Sequence, residues 1–284
     1  MGATEPLVGV ERPTPPAPVA GGGTPAEFEF DDVTKEFAVP RRAPFVAVRG
    51  VDLRVETGSF VCLVGPSGCG KSTLLNMAAG LMEPTEGDVR YRGVPISRLN
   101  TDVGYVTQQN NLLPWRTLER NVGLALEIQG VSRRERKERI AATLERVGLS
   151  GFGGRYPAQL SGGMQKRASL ARILIYEPAT LLMDEPFGPL DAQLRLSMQR
   201  ELVNIWERDR KTVIFVTHDL EEAILLGDKV VVFGASPGRV IHVEDVDLPR
   251  PRDIVHLRSD PAFLSIWARL WDLLEAQIRI GAER

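Results

Sequence analysis

The stretch "FVCLVGPSGCGKSTLLNMAAG", Phe60–Gly80, decides the fold. Five apolar residues, Phe60–Val64, stop abruptly at Gly65, and a helix-forming run begins near Lys71. Between them "GPSGCGKS", Gly65–Ser72, matches the pattern G-x-x-x-x-G-K-[ST]. Glycine lets the backbone turn sharply enough for its N–H groups to face phosphate oxygens. Lys71 brings a point charge to the β- and γ-phosphates of a nucleotide, and Ser72 offers its hydroxyl to Mg²⁺. A strand–loop–helix unit that cradles a nucleotide follows, with Gly65, Pro66, Ser67, Gly68, Cys69, Gly70, Lys71, Ser72 and Thr73 as its binding residues.

Three other runs end in the same way. "VGYVT", Val103–Thr107, stops at Gln108; "LLM", Leu181–Met183, stops at Asp184; "VIFVT", Val213–Thr217, stops at His218. Runs that are apolar on both faces suit strands of a parallel sheet buried between helix layers, which makes the chain α/β. Ligands of such sheets bind beyond the carboxyl ends of the strands. Gly65, Gln108, Asp184 and His218 therefore converge on one crevice. There Asp184 can hold Mg²⁺ through water, and Glu185 can orient and polarise an attacking water. A plain acidic turn before Pro186 is the alternative. His218 reads either as a satisfied core histidine or as a contact to the γ-phosphate. Gln108 is neutral and can reach Mg²⁺ or water through its carbonyl oxygen.

A second anion-binding helix start stands at "LSGGMQKR", Leu160–Arg167, where a serine and two glycines open a helix. Before it, "VSRRERKERIAATLERVGL" reads as a helix with Ser132 as N-cap and Glu135 completing a capping box. Ile140, Leu144 and Val147 form its apolar stripe, and the charge run Arg133–Arg139 its solvated face. Residues 110 to about 165 thus form a helical insertion in the α/β core. Beyond residue 250, Asp260 can cap a helix that begins at Pro261. Its Phe263, Trp267, Leu270, Trp271, Leu274 and Ile278 share one face, and it docks on its own domain.

The totals are those of a globular chain: 284 residues, 43% hydrophobic and 25% charged. A formal net charge of −2 argues against a domain built to neutralise a nucleic-acid backbone, so no nucleic-acid partner is expected. No apolar run approaches the roughly 20 residues of a membrane helix. Two cysteines, one in an apolar run and one in the glycine loop, do not make a disulfide framework, and the loop thiol, Cys69, is expected to be partly open to solvent. Residues 1–26, with "PTPPAP" and "GGGTP", read as a disordered tail. The organised domain spans 27–250, and 251–284 are a C-terminal helical extension.

"GPSGCGKST", "YVTQ", "LSGGM", "LLMDEP", "PLD" and "VTHD", in that order, resemble the ATP-binding subunits of ABC transporters over Phe28 to Leu248. The resemblance implies a RecA-like P-loop NTPase core with a parallel sheet, an antiparallel β edge and a helical subdomain. It also implies ATP and Mg²⁺ as ligands and a head-to-tail pair with a second copy. In that pair Ser161, Gly162 and Gly163 close over the nucleotide held by the partner's Lys71, which explains two anion sites in one chain. Carried over by motif, Glu185 is the catalytic glutamate, His218 the switch histidine, Gln108 the Q-loop residue and Asp191 the D-loop aspartate. Phe37, in "VTKEF", sits where the family stacks an aromatic on adenine; a core phenylalanine is the alternative. "NNLLPWRT" resembles the surface where a permease's coupling helix docks, which implies Trp115 as an anchor. Met164 and Pro189 depart from the commonest family residues without removing a catalytic group.

The tail "SPGRV…VDLPRPRD" resembles the nitrate/sulfonate/taurine-type importer branch. That branch implies separate membrane permease subunits, a place on the cytoplasmic face of the membrane, and indirectly an extracytoplasmic solute-binding protein. A soluble ABC ATPase with a non-transport role is the other reading.

Overall fold

The computed structural model describes residues 26–188 and 190–282. The expectations for the N-terminal tail and for Pro189 lie outside the described residues. The chain begins with β1 (Ala26–Phe37), β2 (Phe45–Glu56), β3 (Phe60–Val64), α1 (Lys71–Ala78), β4 (Glu86–Tyr91), β5 (Val94–Pro95) and β6 (Val103–Val106). Four helices follow: α2 (Leu118–Val122), α3 (Leu124–Ile128), α4 (Arg133–Arg146) and α5 (Gly162–Leu174). Then come β7 (Thr180–Asp184), α6 (Ala192–Asp209), β8 (Thr212–Val216), α7 (Leu220–Leu226), β9 (Lys229–Phe233), β10 (Val240–Asp245) and α8 (Pro261–Ala282).

A six-stranded sheet has the order β10-β9-β3-β8-β7-β6, parallel except for the β10–β9 edge. The strand runs are apolar throughout because each alternate residue meets a different core. Phe60, Cys62 and Val64 of β3 face the side covered by α6, α7 and α8; Val61 and Leu63 face α1 and the second sheet. That second sheet is antiparallel, ordered β2-β1-β4-β5. Buried Glu27 of β1 joins the two. Its carboxylate accepts from Tyr91 Oη and Arg92 Nη2 of the antiparallel sheet, and from Thr180 Oγ1 of β7. Burial pushes the Glu27 pKa up, but Arg92 and the hydroxyl donors outweigh it and hold the group below the usual carboxylate value.

The helical part has its own core of Leu118, Val122, Leu126, Leu144, Val147, Leu149 and Leu160. Ser132 caps α4 through Glu135 N, at 3.3 Å. The expected capping box is half made: the Glu135 side chain turns to Arg139 instead, at 3.6 Å. Arg139 also leaves the solvated face to donate to Ile175 O at 2.7 Å. Helix α5 belongs to both bodies, with Ala168 and Ala171 in the helical core and Leu170 and Leu174 in the main one. No break in packing therefore falls near residue 165.

Beyond β10 the chain is fastened by Arg252, whose buried guanidinium donates to the Ile224, Leu225 and Gly227 carbonyls at the end of α7. Asp260 Oδ1 accepts from Ala262 N at 2.7 Å and so caps α8. Phe263, Ile266, Leu270 and Leu274 enter the main core. Trp271 and Ile278 do not: they are exposed, and Trp271 stacks on Trp267 with ring centroids 5.3 Å apart. The six-residue face read from sequence was one seam too wide, and Ile266 is the buried residue it omitted. No helix among the described residues is long and apolar enough to cross a membrane.

Candidate nucleotide site

The site is built at the carboxyl ends of β3, β6, β7 and β8. After β3 the backbone enters the left-handed region at Gly68 (φ 76°) and Gly70 (φ 93°). At Gly70 a side chain is excluded twice over, because a Cβ would lie 2.3 Å from Val48 Cγ1 and 2.8 Å from the Ala47 carbonyl. At Gly68 a Cβ would meet open space, so the glycine there serves the turn alone. The turn delivers the N-terminus of α1, which carries no side-chain cap and no acidic residue in its first turn. A helix end of that kind is an anion site.

Lys71 lies almost buried beneath the loop and donates to the carbonyls of Gly65 and Pro66, at 2.9 Å each, and to Cys69 Sγ at 3.4 Å. Pro66 and Thr73 are half-buried, and Ser67, Gly68 and Ser72 are exposed along the rim. Cys69 is not on that rim. A thiol partly open to solvent was the expectation, but its side chain packs with Leu74 and Leu75 and is 1% exposed.

Across the crevice Ser72 Oγ donates to Asp184 Oδ1 at 3.0 Å. Asp184 ends β7, and its pKa is raised by burial first and then by the charge of Glu185; the Ser72 hydrogen bond offsets part of this. Glu185 follows with φ 45°, a left-handed conformation that is strained for a non-glycine residue. Its N–H donates to Val216 O at 3.0 Å, so β8 holds the strained residue in place. Glu185 Oε2 has Gln108 Nε2 on one side and His218 Nδ1 on the other, each at 3.4 Å. His218 is exposed, which removes the core-histidine reading. Two of the four strand-end residues, Gln108 and His218, thus meet at the Glu185 carboxylate, while Asp184 is tied to Ser72 of the loop.

Three candidate groups stand apart from this cluster. Ser161 caps α5 through Met164 N at 3.3 Å, and Gly162 faces open space. Among the described residues no hydrogen bond or ion pair joins Ser161–Gly163 to the loop Gly65–Ser72. Asp191 caps α6 through Leu194 N at 2.9 Å and is exposed. Phe37 ends β1, 37% exposed, with Lys35 Nζ 5.6 Å from its ring centre, so it is not a core residue. One group escaped the sequence reading: Lys166, in the quoted "LSGGMQKR", points inward and not to solvent. Its helical phase, matching that of apolar Leu170 one turn on, was the available signal.

A sequence profile described as ABC transporter matches residues 48–188. The nitrate import ATP-binding protein NrtD of Synechococcus elongatus is 41% identical over 250 residues, which are 87% of this chain and 91% of that protein. The chain belongs to the ABC transporter ATP-binding family. An ABC transporter ATP-binding protein of Methanocaldococcus jannaschii is 45% identical over 82% of this chain and 85% of that one. Among solved structures, a dimeric ATP-binding cassette in a post-hydrolysis state with ADP and phosphate aligns with TM-score 0.72. It is 33% identical, and the alignment covers 78% of this chain and all of that one. The fold is that of the ABC cassettes, and this ABC ATP-binding subunit is an ATPase.

The residues also fit Mg²⁺. Among the described residues no three His, Cys, Asp or Glu side chains form a metal cage. A hydroxyl and a carboxylate, Ser72 and Asp184, are held together instead beside an anion-binding helix start. Mg²⁺ takes such a sparse oxygen set when nucleotide phosphates and water complete it.

Proposed function

We propose that this ABC subunit powers the import of a small anion of the nitrate type, as one of two copies beneath separate membrane permease subunits. Three of the relatives are nitrate import proteins, among them the NrtD of Synechocystis at 42% identity over 96% of its length. The peripheral place on the cytoplasmic face and the indirect link to an extracytoplasmic solute-binding protein belong to the same reading.

The observation that carries the mechanism is a contrast within one chain: Glu185 has its catalytic neighbours at hand, while the α5 start has no phosphate loop of its own. In each copy Phe37 stacks on the adenine, and the α1 N-terminus and Lys71 receive the phosphates. Ser72, Asp184 and Gln108 would hold Mg²⁺, which neutralises charge on the phosphate oxygens. Glu185 accepts a proton from the attacking water, and its flanking Gln108 and His218 keep the carboxylate aimed. Ser161, Gly162 and Gly163 of the other copy supply N–H donors to the same phosphate, so hydrolysis requires the closed pair. Asp191, exposed at the start of α6, lies at that junction.

Closure reaches the permease through the loop after Gln108. Buried Asn121 pins this loop, accepting from Leu113 N and donating to the carbonyls of Leu113, Arg116 and Thr117. Trp115 is left 71% exposed on a fixed support, as an anchor for a partner pocket needs. Tagged Glu185→Gln, purified with ATP and Mg²⁺ from solubilised native membranes, should bring down a stoichiometric multi-span membrane protein. A soluble homodimer with no membrane partner would instead support the non-transport ABC ATPase.

A further inference from the structure

Helix α5 carries a second device behind its glycine start. Gln165, Lys166, Ser169 and Arg172 follow helical spacing, and all four reach the segment Thr107–Asn111 that leaves β6. Lys166 Nζ donates to the carbonyls of Thr107 and Gln108, at 2.9 Å each. Asn110 Nδ2 donates to Gln165 Oε1 at 3.1 Å, Ser169 Oγ donates to Asn110 O, and Arg172 Nη1 donates to Asn111 O. Gln165 also holds the chain just before Ser161, donating to Pro157 O and Leu160 O at 3.0 and 3.2 Å. The backbone carbonyls of Thr107, Gln108, Asn110 and Asn111 are thus all taken by one helix.

Lys166 is the centre of this grip. It is 3% exposed and, among the described residues, has no carboxylate within ion-pairing distance. Burial pulls its pKa down to about 8, against the attraction of Asp184 and Glu185. A lysine so placed is costly to bury, and its stabilising contacts are loop carbonyls. An ammonium offers three N–H donors in a fan, which suits two successive carbonyls.

We propose that Lys166, supported by Ser169 and Arg172, is a positioning residue that fixes the Gln108 segment to the helix bearing Ser161–Gly163. Gln108 then takes its place beside Glu185 only as the α5 start takes its own place on the partner's nucleotide. The segment moves with α5 and not with β6. A shift of about 1 Å in α5 is carried directly to the Gln108 amide, and a misplacement of that size costs on the order of a hundredfold in rate. This inference rests on the ATPase roles assigned above to Gln108 and Glu185.

The test is steady-state ATP hydrolysis by the purified chain. Lys166→Met keeps the stem and removes every donor. It should lower kcat about tenfold while KM for Mg·ATP stays within about threefold, the pattern of an interaction used only in the transition state. In a Gln108→Ala background the same change should cost less than about twofold more, because its route is already cut. Ser169→Ala should show the same split and the same absorption by Gln108→Ala, more weakly; it decides the matter if the melting curve of Lys166→Met shows a misfolded chain. A kcat within twofold of the parent in a folded Lys166→Met, or a full tenfold loss on top of Gln108→Ala, overturns the proposal. If Glu185→Gln is inactive and Lys166→Met is normal, the strap fails and the catalytic roles stand. If Glu185→Gln still turns over, those roles fail first.

Discussion

The helix start at Gly70–Ser72 and the helix start at Ser161–Gly163 use the same materials, glycine and serine at the mouth of a helix, in opposite surroundings. At the first, a lysine lies under the loop and a carboxylate faces the serine at 3.0 Å. At the second, the serine is occupied by its own helix through Met164 N, and the nearest lysine, Lys166, is turned away to loop carbonyls. Gly70 is left-handed and hemmed in by Val48 Cγ1 and the Ala47 carbonyl; at the second start a Cβ on Gly162 would meet nothing within 4 Å, and one on Gly163 only side-chain ends, Leu194 Cδ2 at 2.7 Å and Leu190 Cδ2 at 3.6 Å. The difference teaches that one backbone feature can serve as a complete site or as half of one. What decides is whether charge is placed beside it in the same chain.

Four substitutions or probes would break or sharpen that contrast. The largest effect belongs to Glu185→Gln, which removes the proton acceptor: kcat should fall by about a thousandfold with ATP affinity kept, measured by turnover and by calorimetry. Lys71→Ala should weaken ATP binding to the isolated chain by about a hundredfold, since a charge-assisted contact to phosphate is lost. Ser161→Ala should leave monomer binding unchanged and lower turnover by about tenfold, with a loss of about 1 kcal/mol in the melting analysis for the missing helix cap. A collapse of monomer binding in that variant would place the second helix start at the chain's own nucleotide. The smallest effect is at Cys69. A thiol reagent should change the activity of the native chain by less than about twofold over a time that fully labels the unfolded one, as the group is packed and inert. Rapid inactivation blocked by ATP would put Cys69 on the rim after all.

The strand ends were legible in the sequence because β3, β6, β7 and β8 are buried on both faces, so their apolar runs break sharply where the crevice begins. The antiparallel sheet was much less so. Strands β1 and β2 are 12 residues long, but register shifts at Phe30/Val33 and Val33/Lys35 break the two-residue alternation that would betray them. Glu27 gave no sign of its role, since its partners Tyr91, Arg92 and Thr180 are distant in sequence. In α8 the apolar residues cover more of the helix than one core can take, and only packing shows that Trp271 is left outside. The inward turn of Lys166 and the burial of Cys69 were hidden for one reason: a polar or reactive residue in a glycine-rich motif reads as exposed, and the surrounding elements decide otherwise.

The claim that each nucleotide is held by two chains is tested most directly by mixing two impaired variants. Lys71→Ala lacks the first helix start's charge and keeps Ser161; Ser161→Ala keeps Lys71. If the site is shared head to tail, a mixed dimer contains one site built entirely from intact halves. An equimolar mixture should then regain up to about a quarter of the native ATPase rate, since about half the dimers are mixed and each has one good site of two. A mixture no more active than the mean of its two components would contradict the account, because it would mean that each chain completes its own site.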